Sequence, residues 1–467
     1  LKRNKFSLSN YKLFTCNQGQ LVPCGLTEVL PGDTIQQATS ALVRLSPLLA
    51  PVMHPVHVRI HHWFVPHRII WNDWENFITG GPDGMNASTF PTITFPQDGP
   101  EIGSLADYYG IPTDNPQAAG TTVSALPFRG YSLIFNEWYR DQDLVTPLTV
   151  DLTDGPDTTT NTTLQNCAWE KDYFTSARPW TQKGPEVTIP LGTEAPVIGI
   201  GAANQTYAAG PSGTVYESDG GSGTYANFKT IDSSAGGNVG VFLVEQDGTT
   251  GYPHIRTDLS SASAATINEL RLAFALQRYE EARARYGSRY TEYLRYLGVR
   301  SSDARLQRPE YLGGGKQTLQ FSEVLQTGVT TDGDDTEGVG NLKGHGIGAL
   351  RSNRYRRFFE EHGYIHTFFS VKPRTMYAQG LPRTWNRRTK EDFWQRELEH
   401  IGQQEILTKE IYAASATPDA GWGAYQDRYD EYRRTESTIA GEFRSTLANY
   451  WHMARIFATQ PTLNGSF

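Results

Sequence analysis

The clearest alternation of apolar and polar positions lies between Val52 and Val65, VMHPVHVRIHHWFV. Val56, Val58, Ile60, His62 and Phe64 fall on one face and His57, Arg59, His61 and Trp63 on the other, which is the period of a strand. A second alternating run, GYIHTFFSV from Gly363 to Val371, predicts another. Near the start, LVPCGLTEVLPGDTI reads as two extended runs parted by a Pro31-Gly32-Asp33 turn. ARPWTQKGPEVTIPLG, from Ala177 to Gly192, reads as extended chain punctuated by proline. Helical spacing appears first at Trp71, Trp74 and Phe77, which align before Gly80-Gly81-Pro82 ends the pattern. From Thr266 to Tyr286 the signal is stronger. Thr266 and Glu269 form a capping box, Ile267, Leu270, Ala273, Phe274 and Gln277 keep the period, and Gly287 suits the C-terminal position. A shorter helix is expected from about Ser288 to Leu297, followed by an irregular run, DARLQRPEYLGGG. A last helix is expected from Glu391 to Ile401, with Trp394, Leu398 and Ile401 aligned and Gly402 after them.

Composition turns this pattern into a fold class. The 467 residues include 45 glycines, 26 prolines, 24 tyrosines and 21 phenylalanines, a mixture that favours many short strands joined by turns and long loops. A mainly β body with helical additions follows, spanning residues 1–467 as one domain with long insertions. The largest insertion is the Gly-, Ser-, Thr- and Ala-rich stretch from Thr193 to Ser263, with one strand-like run at Val239 to Val244.

Charge refines the expected partners. The formal net charge is -8, yet Asp141 to Ser260 alone holds 15 acids and 5 bases, a balance of -10, so the rest of the chain sums to +2. One acidic and one basic face fit those numbers, and a polyanionic partner stays open. The bases come in blocks. Lys2, Arg3 and Lys5 form a basic N-terminal arm, and Arg351, Arg354, Arg356 and Arg357 form the densest cluster, RSNRYRRFF, interleaved with Tyr355, Phe358 and Phe359. Cations that meet phosphates beside rings that stack on bases suit single-stranded nucleic acid, and these seven residues are the candidate contacts. A subunit interface is the alternative for the same arginines. Seven bases against two acids between Lys372 and Arg396 extend the positive region.

Catalytic and metal signatures fail on inspection. His57 and His61 share a strand face, but no carboxylate or cysteine in the run completes a coordination shell. Glu137 with Asp141 or Asp143 has the chemistry of an acid pair, which keeps open a carbohydrate-binding or carbohydrate-hydrolysing β-sandwich. TDGDDTEGVG, from Thr331 to Gly340, puts Glu337 where a calcium loop needs its glycine and Lys343 where it needs its glutamate. GGGKQT, from Gly313, lacks the first glycine and the Ser/Thr of a phosphate loop. No cofactor and no metal are expected. Three cysteines, Cys16, Cys24 and Cys167, are too few for a disulfide framework and point to a reducing compartment. No run of 18 apolar residues occurs, so membrane insertion is not expected.

The runs FSLSNYKLFTCNQGQLVPCGLTEVLPGDTI, WFVPHRIIWNDW, YSLIFNEWYRDQDL, ARPWTQKGPEVTIPLG, INELRLAFALQRYEEARARYGSRYTEYLRYLGV, DARLQRPEYLGGG, EHGYIHTFFSV, QGLPRTWNRRTKEDFW, HIGQQEILTKEIY and PTLNGSF cover most of the chain in order. Together they resemble the major capsid proteins of the Microviridae, small bacteriophages with circular single-stranded DNA, and in particular the gokushovirus-like branch. The resemblance implies an eight-stranded antiparallel jelly roll with large loop and helical insertions. It implies a T=1 icosahedral shell of identical subunits around the genome, and no enzymatic activity. It also implies that 193–263 is a variable surface loop near the threefold axes, involved in host attachment. The expected partners are other copies of the chain, the single-stranded DNA genome, small DNA-binding and pilot proteins of the virion, and a host surface receptor. The protein is expected in the virion, assembled in the bacterial cytoplasm, with the acidic region outward and the basic blocks on the genome or between subunits.

Overall fold

The computed structural model describes residues 4–82, 85–95, 99–113, 122–185, 267–286, 307–325, 342–448 and 450–467, with isolated positions between them (120, 187, 197–198, 256–257, 292 and 295–298). The chain forms two compact units, Leu1–Gln182 with Arg283–Phe467, and Lys183–Ala282.

In the first unit the expected turn is present. Strand β1 (Val22–Val29) and strand β2 (Thr34–Gln37) flank Gly32, whose φ of 91° only glycine adopts freely. Strand β3 (Ser40–Arg44) follows, then β4 (Val56–Pro66), in which every residue of the Val56, Val58, Ile60, His62 and Phe64 face is buried. Helix α1 (Trp74–Thr79) ends at left-handed Gly80, as the spacing predicts. Short strands β5 (Thr92–Thr94) and β6 (Thr122–Ser124) pair on either side of helix α2 (Leu105–Tyr109). Helix α3 (Leu126–Ile134) then runs into a π-helical turn at Phe135–Tyr139.

The second unit contains β7 (Val197–Ile198) and β8 (Arg256–Thr257), an antiparallel ladder that joins the two ends of the expected insertion. Helix α4 (Ile267–Tyr286) fulfils the expectation for that stretch, and its last residues count with the first unit. Of the expected helix from Ser288 to Leu297, Glu292, Arg295 and Tyr296 are helical and the remainder lies largely outside the described residues. The runs Val239 to Val244 and Thr331 to Gly340 also lie outside them.

The first unit resumes with β9 (Glu310–Thr318), β10 (Gln320–Leu325), β11 (Leu342–Arg351), β12 (Tyr355–Phe358) and β13 (Gly363–Pro373), and ends with β14 (Gln403–Leu407) and β15 (Gly421–Asp427). One sheet has the order β1-β13-β4-β9 and a second the order β10-β11-β3, all pairs antiparallel. The β12-β2 ladder continues the second sheet past a kink, where the Thr39 and Ser352 backbones bond at 2.8 Å. Between the sheets Val56, Val58, Ile60, Phe369 and Val371 meet Leu319, Leu350, Ala41 and Val43. The opposite face of the four-stranded sheet is covered as well. Trp63, Val65 and Phe368 pack against Leu105, Leu126, Phe128, Tyr131 and Ile134 from α2 and α3. Burial on both faces explains why β13 is apolar at consecutive positions and not only at alternate ones. A mainly β, antiparallel fold with helical insertions is therefore the architecture.

Two local expectations are corrected. The end of DARLQRPEYLGGG is regular structure, because Gly313, Gly314 and Gly315 pair with His62, His61 and Ile60 inside β9. A Cβ on Gly314 would stand 2.3 Å from the Ile60 carbonyl oxygen, and one on Gly315 2.9 Å from Ser352 Cα, so the glycines let two backbones close on the strand. The stretch Glu391 to Ile401 is not an α-helix but a 3-10 turn at Lys390–Asp392 followed by further turns. The Asp392 carboxylate accepts from the Arg388 and Thr389 amides, both at 2.7 Å, which closes the turn locally. Phe393, Trp394 and Ile401 stay exposed, so no burial rewards the helical spacing.

The aromatic tail packs on its own chain. Phe467 stacks on Phe457 with ring centroids 6.1 Å apart, meets Trp422 edge-on at 5.0 Å, and lies under the Arg455 guanidinium at 4.1 Å.

Candidate nucleic-acid interface and the polar network beside it

The arginine cluster sits where the second sheet kinks. Arg351 ends β11, Arg354 lies in the bend, and Arg356 and Arg357 stand on β12 opposite Gln36 and Ile35. All four are exposed. Strand alternation separates Arg356 from Arg357. Arg357 shares its face with buried Tyr355, whose hydroxyl donates to Gln37 Oε1 at 2.6 Å, and its guanidinium lies 2.9 Å from the Glu310 carboxylate on β9. Of the interleaved rings, Tyr355 and Phe359 are buried in the subunit and Phe358 is exposed. The cluster therefore presents Arg351, Arg354 and Arg356 outward with one ring, while Arg357 is held by a carboxylate. Lys5 is exposed in a separate segment without regular secondary structure, and Lys2 and Arg3 lie outside the described residues.

The wider basic stretch is partly consumed inside the fold. Lys372 donates to the Ala168 carbonyl at 2.8 Å, and burial lowers its pKa. Arg383 lies 2.8 Å from Glu410, and Arg387 lies 3.6 Å from Glu431. Arg374, Arg388, Lys390 and Arg396 remain exposed.

His57 and His61 do share a face, but each meets a hydroxyl. His57 Nδ1 is 3.2 Å from Thr318 Oγ1, and His61 Nδ1 is 2.6 Å from the Tyr139 hydroxyl, which also accepts from Trp63 Nε1 at 2.9 Å. Burial first, and the Arg59 and Lys372 charges second, push the His61 pKa down to about 4. Among the described residues no group of three or more His, Cys, Asp or Glu side chains is placed to hold a metal ion. The cysteines are free thiols, and burial raises the Cys24 pKa to about 12.

The carboxylates offered as an acid pair are ion-paired instead. Glu137 lies 3.8 Å from Arg308, Asp143 2.9 Å from Arg178, and Asp141 bonds Lys171 and sits 3.5 Å from Arg178. Burial pulls the Asp141 pKa upward, but Arg178 and Lys171 outweigh it and the net shift is downward. A general acid for sugar hydrolysis needs the opposite shift.

Sequence reasoning missed the most deeply buried charge pair among the described residues. Arg129 on α3 and Asp157 are both fully buried, with Nε 2.8 Å from the carboxylate. The guanidinium also donates to the Ile70 and Thr153 carbonyls at 3.2 and 3.0 Å. No local spacing signals this contact, since its three partners come from two different loops. Also missed was the exposure of large apolar groups, among them Trp385, Phe393, Trp394 and Ile401. The helical spacing of Trp394, Leu398 and Ile401 was the available sign of such a face.

No helix among the described residues is long and apolar enough to cross a membrane. Over residues 1–467 the sequence matches the family described as "Capsid protein (F protein)". It is 39% identical to "Capsid protein VP1" of Bdellovibrio phage phiMH2K, over all of this chain and 87% of that protein. It is 33% identical to "Capsid protein VP1" of Chlamydia phage 1 and 32% identical to that of Spiroplasma virus 4, again over the whole of this chain and 89% and 87% of those proteins. A match of this extent, on an antiparallel β framework in which Glu137, Asp141 and Asp143 are ion-paired, makes the chain a structural and non-enzymatic protein that belongs to the F-type capsid protein family of the Microviridae.

Proposed function

We propose that copies of this chain close into a T=1 icosahedral shell around a single-stranded DNA genome. The observation that carries this reading is the combination of a framework already closed on both sheet faces with a surface that still exposes large aromatic groups. A subunit with no further core to build has those groups left for its neighbours. Two facing antiparallel sheets with a core between them support the eight-stranded jelly roll as the full topology.

Within the shell, Arg351, Arg354 and Arg356 contact the genome together with Lys5 and the adjoining Lys2 and Arg3, while Arg357 chiefly ties β12 to Glu310. Residues 193–263 form a surface loop engaged in host attachment, and the acidic region from Asp141 to Ser260 faces outward. Small DNA-binding and pilot proteins complete the virion, which assembles in the bacterial cytoplasm.

Replacement of both Arg354 and Arg356 by Ser tests the genome contact. The DNA content per particle, read from the ratio of ultraviolet absorbances, is expected to fall while Arg357→Ser alone leaves it nearly unchanged. Unchanged DNA content and particle stability in the double variant would remove the cluster from the interface. Shortening the tip of 193–263 is expected to impair attachment to host cells more than particle yield.

A further inference from the structure

The chain begins with a segment that has no place on its own subunit. Residues 4–13 carry no regular secondary structure and form no ladder. Their apolar side chains stand in solvent, with Phe6 79%, Leu8 67%, Tyr11 87% and Leu13 85% exposed. The hydrogen bonds at the tip are local, from Ser7 to Ser9 and from Asn10 to the Leu8 carbonyl. Attachment begins only at the root, where Lys12 bonds the Tyr108 carbonyl and the Phe14 ring packs edge-on against Phe369 and Tyr108 at 5.4 and 6.2 Å. A run of 10 residues, fully extended, reaches at most about 36 Å, well beyond its own root.

The same chain carries an apolar surface without a cover. Phe393, Trp394 and Tyr432 are all exposed. They form one patch, because Arg387 lies over the Tyr432 ring at 4.1 Å and the Phe393 ring at 5.5 Å, and the Trp394 amide donates to the Tyr432 hydroxyl at 3.3 Å. Its contacts hold the rings at the surface and do not bury them.

From these two features we infer that the N-terminal arm of one copy lies on the aromatic patch around Trp394 of a neighbouring copy. The occupant is a second copy of this chain, since each copy brings both an apolar strip and an apolar surface and belongs to a family of capsid proteins. Nucleic acid fits the strip poorly. From Phe6 to Leu13 the only charge is Lys12, and a carbonyl of its own subunit already engages it. A contact between two different surfaces of identical chains is heterologous, and such contacts generate closed rings when the rotation closes. The arm thus serves as a strap around a symmetry axis of the shell, an inference that rests on the shell reading above.

Two experiments test it. Chains carrying Leu8→Cys alone and chains carrying Trp394→Cys alone are mixed, assembled and oxidised. Covalent dimers are expected in the mixture and absent from either population by itself and from the parent, which controls for the native cysteines. A chain lacking residues 1–11 is expected to unfold at the same denaturant concentration as the parent subunit, because the arm makes no core contact. Its particle yield is expected to drop by more than about tenfold, the effect of losing roughly 1.4 kcal/mol per contact. Parent-like yield from the truncated chain would overturn the arm while leaving the shell intact. A parent chain that never assembles would overturn both. Residues 6–13 that become protected from protease only in DNA-filled particles, and not in empty ones, would belong to the genome contact of the basic residues before them and refute the strap.

Discussion

Replacing Asp157 with Ala removes the only carboxylate in bonding distance of the buried Arg129 guanidinium among the described residues. The pair is fully buried at 2.8 Å, so neither group has water to fall back on. Leaving one member of such a pair costs about 3–5 kcal/mol, chiefly as the penalty of an uncompensated buried charge. Asp157 also accepts from the Thr159 and Thr160 amides at 3.2 and 2.9 Å and from the Thr160 hydroxyl at 2.7 Å. Each buried donor set free adds about 1 kcal/mol or more. Replacing both partners, with Arg129→Met and Asp157→Ala, removes the orphaned charge and is expected to cost less than the two single changes together, with a coupling of about 1–3 kcal/mol. Urea unfolding of dissociated subunits, followed by tryptophan emission, provides the assay. Trp71 is fully buried and its indole donates to Asp154, three residues before Asp157, so it reports on this loop. A loss under about 1 kcal/mol for Asp157→Ala would show that the buried guanidinium does not depend on its carboxylate, and so would strict additivity of the two single changes.

Acid is expected to destabilise the subunit through histidines held neutral. Burial depresses the pKa of His62 and His67 to about 4 and that of His366 to about 3. The unfolded chain takes up these protons near pH 6.5 and the folded chain does not, so stability falls as pH drops from about 6.5 toward 4, by up to about 4 kcal/mol per pH unit for three groups. Urea midpoints at pH 5 and pH 7 check this, and equal values would contradict it. Gly314→Ala is expected to weaken the subunit by at least about 2 kcal/mol, because its Cβ would meet the Ile60 carbonyl at 2.3 Å in the middle of a ladder. A midpoint within error of the parent would show that β9 can shift without cost.

What the sequence made legible is the part where one periodicity holds. Strands β1, β2, β4 and β13 and helices α1 and α4 were all marked by alternation, turn glycine or capping. Helix α3 was not, because it is buried on nearly every side and contains Arg129, so its sequence has no polar stripe to give the period away. Strand β9 was hidden by its three glycines, whose role is a close backbone approach visible only in three dimensions. The converse holds at Glu391 to Ile401, where the helical spacing is real but Trp394 and Ile401 stay exposed. At the candidate interface the density of arginine was plain, but its pairing was not. Glu310 lies 47 residues before Arg357, and only the juxtaposition of β9 and β12 brings them together. The acid pair around Glu137 failed for the same reason, since Arg308 and Arg178 reach those carboxylates from distant segments.

A capsid subunit of this design closes into a shell with its own copies. Electron microscopy of the purified protein across a range of ionic strengths tests it most directly. Uniform closed particles with icosahedral symmetry are expected under at least one condition, with the Trp394 patch covered between subunits. Monodisperse single subunits at high concentration under every condition would contradict it.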